Sequence, residues 1–151
     1  AAWRHFFTGD KDRQRLYYPV SGDLAYIADI GSGDVRSEGM SYGMMIAVQL
    51  DQQEAFDRLW RWANKHMRHA DGPRAGYFAW QCKFDGTIID PGSASDGEVW
   101  LALALFFASQ SILSGDLDIL VTAGSDVALV LASAAAVTAA ATPAATWARR
   151  G

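Results

Sequence analysis

Ser37-Glu38-Gly39-Met40-Ser41-Tyr42-Gly43-Met44-Met45 is the stretch whose reading decides the fold. One carboxylate sits in an uncharged, apolar run, and Met40, Met44, Met45 and Val48 follow at spacings that keep them on one face of a helix opening near Ser37. Glu38 then falls in its first turn, with methionines around it to exclude water. Gly39, Gly43 and Ala47 recur every four residues on another face, a stripe with almost no side chain. Each glycine inside a helix costs roughly 1 kcal/mol against alanine, so the stripe is expected to admit a neighbouring helix or a ligand close to the backbone.

Outward from that helix, Trp3 to Tyr18 mixes aromatic residues with a charged run and reads as a helix end and a turn. Pro19 to Gly33 is rich in glycine and aspartate. Leu24, Ile27 and Ile30 stand three apart, which predicts a short helix or an irregular segment. Gln53 to Met67 is the clearest amphipathic helix, with Phe56, Leu59, Trp60, Ala63 and Met67 on one stripe and the pairs Glu54/Arg58 and Asp57/Arg61 on the other. Asp71-Gly72-Pro73 stops it. Gly76 to Cys82 is expected to be extended, ending in the turn Asp85-Gly86. Ser95-Asp96-Gly97-Glu98 has capping-box spacing and opens an apolar run, Val99 to Ala108, with no polar face. That run is expected to be buried among helices. Buried and half-exposed helices in alternation suit an inner and an outer ring.

Residues 110–151 differ in composition: 111–151 holds twelve alanines, and its only basic residues are Arg149 and Arg150. Val127 to Ala148 runs 22 residues without a charge, but alanine, serine, threonine and Pro143 make it a poor membrane span. The reading is an alanine-rich tail, disordered or out of frame. The chain begins Ala1-Ala2-Trp3 without a charged-then-apolar leader, so a targeting segment is expected to be absent or already removed, and location is open between cytoplasm and secretion. A net charge of −4 over 151 residues gives no basic footprint for nucleic acid. The single cysteine, Cys82, is expected to be a small buried apolar residue. His66 and His69 are expected to be solvated helix-end residues, and no metal or cofactor is called for.

Glu38 and Asp96 each open a helix, so both carboxylates are expected at one end of a helical assembly. Two carboxylates at a cleft suit glycosidic hydrolysis; two ordinary first-turn acids stabilising helix starts are the alternative. The aromatic group Tyr77, Phe78 and Trp80 is either core or a stacking platform for sugar rings. Gly39-Met40-Ser41-Tyr42-Gly43 also fits the nucleophile elbow of α/β-hydrolases, but no histidine follows His69.

Leu16-Tyr17-Tyr18, Asp34 to Met45, Phe56-Asp57-Arg58, Ala75 to Trp80, Asp96-Gly97-Glu98 and Leu103 to Ser109 together resemble the N-terminal third of glycoside hydrolase family 8, in particular its reducing-end xylose-releasing exo-oligoxylanases and xylanases. The resemblance covers about residues 3–109. It implies an all-α, partial (α/α)6 barrel and inverting hydrolysis of β-1,4-linked xylan or xylo-oligosaccharides. Glu38 matches the general acid, Asp96 the aspartate that positions and distorts the sugar, and Trp80 an aromatic lining the cleft; Tyr42 and Tyr77 are expected beside Trp80 as further substrate-binding residues. Asp-Gly-Glu after Ser95 is similar to the xylan-acting branch. The aspartate serving the family as base lies beyond the counterpart of Ser109, so this chain is expected to lack it. A non-catalytic helical or carbohydrate-binding remnant is the alternative. Oligomeric state is not legible.

Overall fold

The computed structural model describes residues 2–11 and 14–112. Helix α1 (Ala2–Phe6) precedes a hairpin of β1 (Tyr17–Val20) and β2 (Leu24–Ile27). A second small sheet is made of β3 (Val35–Arg36), β4 (Gln81–Cys82) and β5 (Ile88–Asp90). Helices α2 (Ser37–Gln49), α3 (Gln53–His66) and α4 (Ser95–Ile112) form the bulk. The described residues are therefore mostly helical, in keeping with the all-α expectation, with two small antiparallel sheets that it did not include.

The segment expected from Leu24, Ile27 and Ile30 to be a short helix or irregular instead forms the second strand of a hairpin, pairing Tyr17 with Ile27 and Val20 with Leu24. Period two prevails over period three here: Ala25 and Ile27 face the core while Leu24 and Tyr26 are half-buried. Tyr18 and Tyr26 stack across the strands at 5.7 Å, and Gly22 and Asp23 take positive φ in the connecting turn.

Helix α2 is the centre of the molecule, packing on α4, on α3 and on β2. Met40, Met44, Met45 and Ala47 are buried, and the glycine stripe admits the neighbouring helix α3, as expected, together with a strand. Ile27 of β2 lies over it: a Cβ on Gly43 would stand 2.7 Å from Ile27 Cδ1 and 3.3 Å from Leu59 Cδ1 of α3. The Ile27 amide also donates to Met40 Sδ at 3.2 Å, so hairpin and helix are joined by a backbone donor as well as by packing. The missing side chains let a strand and α3 meet α2 closely.

The stripe of α3 holds, except that Trp62, rather than Trp60, is fully buried beside Ala55, Phe56, Leu59 and Ala63. Trp60 is partly buried. Its outer face carries Glu54–Arg58 at 2.7 Å and Asp57–Arg61 at 4.0 Å, with Asp23 of the hairpin turn 3.7 Å from Arg58. The β4–β5 hairpin turns at Gly86, as Asp85-Gly86 predicts, with φ +87°. Cys82 is fully buried, and burial pushes its thiol up to about 11. His66 departs from expectation: its ring lies half-buried, 4.9 Å from Trp62 and against the Gly86 backbone.

Helix α4 is buried on one side only. Leu101, Ala102, Ala104, Leu105 and Ala108 face the core, whereas Val99, Trp100, Phe106 and Phe107 are exposed. Among the described residues α2 is the principal wall against which α4 packs, so the expectation of burial all round fails on the far side. No described helix is long and apolar enough to cross a membrane, and the weak span at 127–148 lies outside the described residues, as does the tail from 113 onward.

Gly43→Val should destabilise the fold by about 1–3 kcal/mol through overpacking against Ile27 and Leu59. Urea unfolding followed by circular dichroism measures this; an unchanged midpoint would show that the close approach is not required.

Candidate functional site

Helices α2 and α4 start side by side. A Cβ on Gly97 would lie 3.0 Å from Ser37 Cβ and 3.3 Å from the Glu38 amide nitrogen, so only glycine allows the two first turns to touch. Glu38 occupies the first turn of α2 and Asp96 that of α4, as the sequence predicts, and both are exposed. Tyr42, one turn after Glu38, donates its hydroxyl to Glu38 Oε1 at 3.1 Å. That bond to the carboxylate raises the Tyr42 phenol first of all, with smaller contributions from burial and from the charges of Glu38 and Asp96. One phenol therefore senses both carboxylates.

The methionines do not surround Glu38. Met40 and Met44 are fully buried on the opposite face of α2, so the apolar shield expected for an acid is not built from them. The hydrolase-elbow reading also closes, because Ser41 is fully buried and donates to the Glu38 carbonyl at 2.7 Å, inside its own helix.

Trp80 forms a second wall. Its carbonyl accepts the Ser37 amide at 3.0 Å at the start of α2, and its amide donates to Gly92 O at 2.7 Å. The Asp90 carboxyl, held low first by the Gly92 amide, also accepts a hydrogen bond from the Trp80 side chain. Arg36 places its guanidinium 5.5 Å from the indole centroid and is itself held by Asp34 at 3.1 Å and Asp29 at 3.2 Å. Asp34 is buried and also accepts from the Gln81 amide group. Tyr77 is half-buried on the same segment, its backbone paired with His69 and Arg74. Among the described residues no hydrogen bond or ring contact joins its ring to Glu38.

Three residues of this end escaped the sequence reading. Trp100 meets Tyr42 edge-on at 5.7 Å and is 38% exposed; its place one helical turn after Asp96 could have signalled a shared face. Arg36 directly precedes the helix that carries Glu38. Glu98 was read as the acid of a capping box, but the Glu98 amide bonds to Ala94 O, which puts Ser95 inside the helix rather than at its cap. The Glu98 side chain turns inward, 1% exposed, and its Oε1 accepts the Phe78 amide at 2.8 Å while Oε2 has no partner. Burial pushes this carboxyl up to about 7, against a smaller lowering by the Phe78 amide. No group of three metal-binding side chains occurs among the described residues.

Exposed carboxylates on adjoining helix starts, walled by tryptophan and tyrosine, suit a protein that handles carbohydrate. Residues 27–119 match the family described as Glycosyl hydrolases family 8, and the chain belongs to that family of hydrolases. It is 56% identical over 108 residues to the reducing-end xylose-releasing exo-oligoxylanase Rex8A of Paenibacillus barcinonensis, covering 72% of this chain and 28% of that one. Identity to the reducing end xylose-releasing exo-oligoxylanase of Halalkalibacterium halodurans is 53% over 114 residues, covering 76% of this chain and 29% of the relative. The chain thus spans under a third of the length of these relatives. A crystal structure of a reducing-end-xylose releasing exo-oligoxylanase, in a glutamate-to-alanine form complexed with xylobiose, superposes with a TM-score of 0.79 at 45% identity, covering 87% of this chain and 35% of that one.

The raised Glu98 carboxyl fixes a sign for stability against pH. The folded state holds this proton more tightly than the unfolded chain, so its contribution is present below about 4.5 and is lost as pH rises through about 7. His66, lowered by burial, acts oppositely, losing stability as pH falls through its ordinary value. Thermal unfolding of the parent and of Glu98→Gln at pH 5, 6, 7 and 8 should show the parent losing more stability than the variant toward pH 8. Parallel profiles would refute the assignment.

Proposed function

We propose that this chain is the N-terminal part of an inverting hydrolase domain acting on β-1,4-linked xylan or xylo-oligosaccharides. Glu38 is the general acid, Asp96 holds and distorts the sugar at the cleavage point, and Trp80, Tyr42 and Tyr77 are the binding surface. In this reading α2 and α4 belong to the inner ring of an (α/α)6 barrel and α3 to its outer ring. The observation that carries the proposal is the Tyr42 hydroxyl on Glu38, with Asp96 acting on the same phenol across the Gly97 contact. It is supported by the xylobiose in a solved relative and by the names of the two relatives above.

In such a reaction the acid protonates the departing glycosidic oxygen while a second carboxylate activates water on the opposite face, the two standing roughly 6.5–9.5 Å apart. A general acid must hold its proton until the bond breaks, so the role calls for a further wall that excludes water from Glu38 when sugar is bound. Both that wall and the base belong, in this proposal, to the part of the family domain that these 151 residues do not supply. Positioning by Asp96 and stacking on Trp80 remain available without it.

Calorimetric titration with xylotriose should therefore show binding by the 151-residue chain. Trp80→Ala should weaken it about tenfold, equivalent to about 1.4 kcal/mol. Product analysis should find little turnover by this chain, whereas a version extended with the rest of the family domain should hydrolyse xylotriose and lose about 10²–10⁴-fold in kcat on Glu38→Gln. Equal turnover by short and extended forms would remove the claim of a missing base. Absence of binding by both would remove the xylo-oligosaccharide reading.

A further inference from the structure

Among the described residues, Glu98 carries the one buried side-chain oxygen without a hydrogen-bond partner. A carboxyl that is 1% exposed, with one oxygen bonded and the other unpartnered, is expensive where leucine would pack and glutamine would keep the acceptor uncharged. Violations of this kind concentrate where a site needs something held in place. What Glu98 holds is the Phe78 amide, at 2.8 Å.

That amide begins a short non-helical segment fastened at both ends. Two residues on, the Trp80 carbonyl accepts the Ser37 amide at 3.0 Å, so the segment is tied to the first turn of α4 through Glu98 and to the first turn of α2 through Ser37. Between them Ala79 donates to Met67 O at 2.8 Å. Along α4, Asp96 and Glu98 are two residues apart, which places them on opposite sides of the helix: Asp96 exposed, Glu98 in the core. A single turn therefore carries one carboxyl toward solvent and another that grips the segment bearing Trp80.

We propose that Glu98 is a positioning residue of the sugar site: by fixing the Phe78 amide to the first turn of α4 it sets where the Trp80 ring stands relative to Asp96. This rests on the sugar-binding reading above for its functional meaning, but the placement of Trp80 can be read without sugar. Leucine at position 98 leaves the Phe78 amide buried without an acceptor, and the segment relaxes at that end. Glutamine preserves the acceptor oxygen.

The test uses the 151-residue chain and its variants Glu98→Gln, Glu98→Leu and Trp80→Phe. Acrylamide quenching, taken as the difference between the chain and its Trp80→Phe counterpart, isolates the accessibility of Trp80. Xylotriose titration gives the affinity, and thermal unfolding shows which variants are folded at the working temperature. Glu98→Leu should raise Trp80 quenching at least twofold and weaken xylotriose at least fivefold in folded protein, and Glu98→Gln should restore both to within twofold of the parent. A folded Glu98→Leu with parental quenching and affinity overturns the proposal, because a merely structural role would lower the unfolding temperature alone. If Glu98→Leu does not fold, Glu98→Gln decides: altered Trp80 quenching in that folded variant overturns the proposal, and parental quenching supports it. If the parent fails to bind xylotriose while Trp80 quenching still responds to Glu98→Leu, the positioning role stands and the sugar reading fails.

Discussion

The close approach of two helix starts at Gly97 is the constraint on which the arrangement depends. Ser37 occupies the space that a side chain at position 97 would take, so the first turns of α2 and α4 touch at backbone distance. Their first-turn carboxylates, Glu38 and Asp96, are neighbours for that reason. A helix terminus leaves its leading amides without intrahelical partners, and the Ser37 amide is satisfied by the Trp80 carbonyl rather than by a capping side chain. The same packing that places two acids together thus brings an aromatic wall to them. Arg36, the residue before the helix, completes the corner by reaching over the indole while Asp29 and Asp34 hold its guanidinium.

The remainder of the fold supports α2 from behind. Ile27 from the hairpin and Leu59 from α3 converge on Gly43, and Met40 receives the Ile27 amide on its sulfur. These contacts explain why a helix with so few polar residues can carry glycines at its centre: the entropy lost there is offset by burying a strand and a helix against it. Helix α4 differs. One side is buried through Leu101, Ala102, Ala104, Leu105 and Ala108, while Val99, Trp100, Phe106 and Phe107 meet water.

Much of this was legible in the sequence where a single periodicity was present. Gln53 to Met67 has one amphipathic reading, and Asp85-Gly86 has the turn its backbone requires. The first-turn place of Glu38 followed from the apolar run behind it. The hairpin at Tyr17–Ile27 was not legible, because Leu24 and Ile27 satisfy a helical spacing as well as a strand in which Ala25 and Ile27 alternate inward. Glu98 was misread because Ser-x-x-Glu has the same spacing whether the serine caps the helix or lies one residue inside it, and only the bond to Ala94 distinguishes them. Met40 and Met44 lie on the other face of α2, and Glu38 itself is exposed. Proximity along the chain could not supply the dry surroundings expected for the acid. The roles proposed for Glu38, Asp96 and Trp80 come from the family resemblance; residue spacing by itself placed only Glu38 and Asp96, at helix starts.

The segment from Phe78 to Trp80 has a dynamic consequence. It belongs to no helix, yet its three amides are engaged by Glu98, by Met67 and by Gly92 respectively. Irregular backbone of this kind ordinarily opens first in native-state fluctuations. Here release of the chain requires the first turn of α4 to let go as well, so local opening of the segment is coupled to fraying of the helix. Solvent exchange at Phe78 should thus follow the rhythm of a helix end rather than that of a loop, and the aromatic wall inherits the rigidity of the elements at its two anchors.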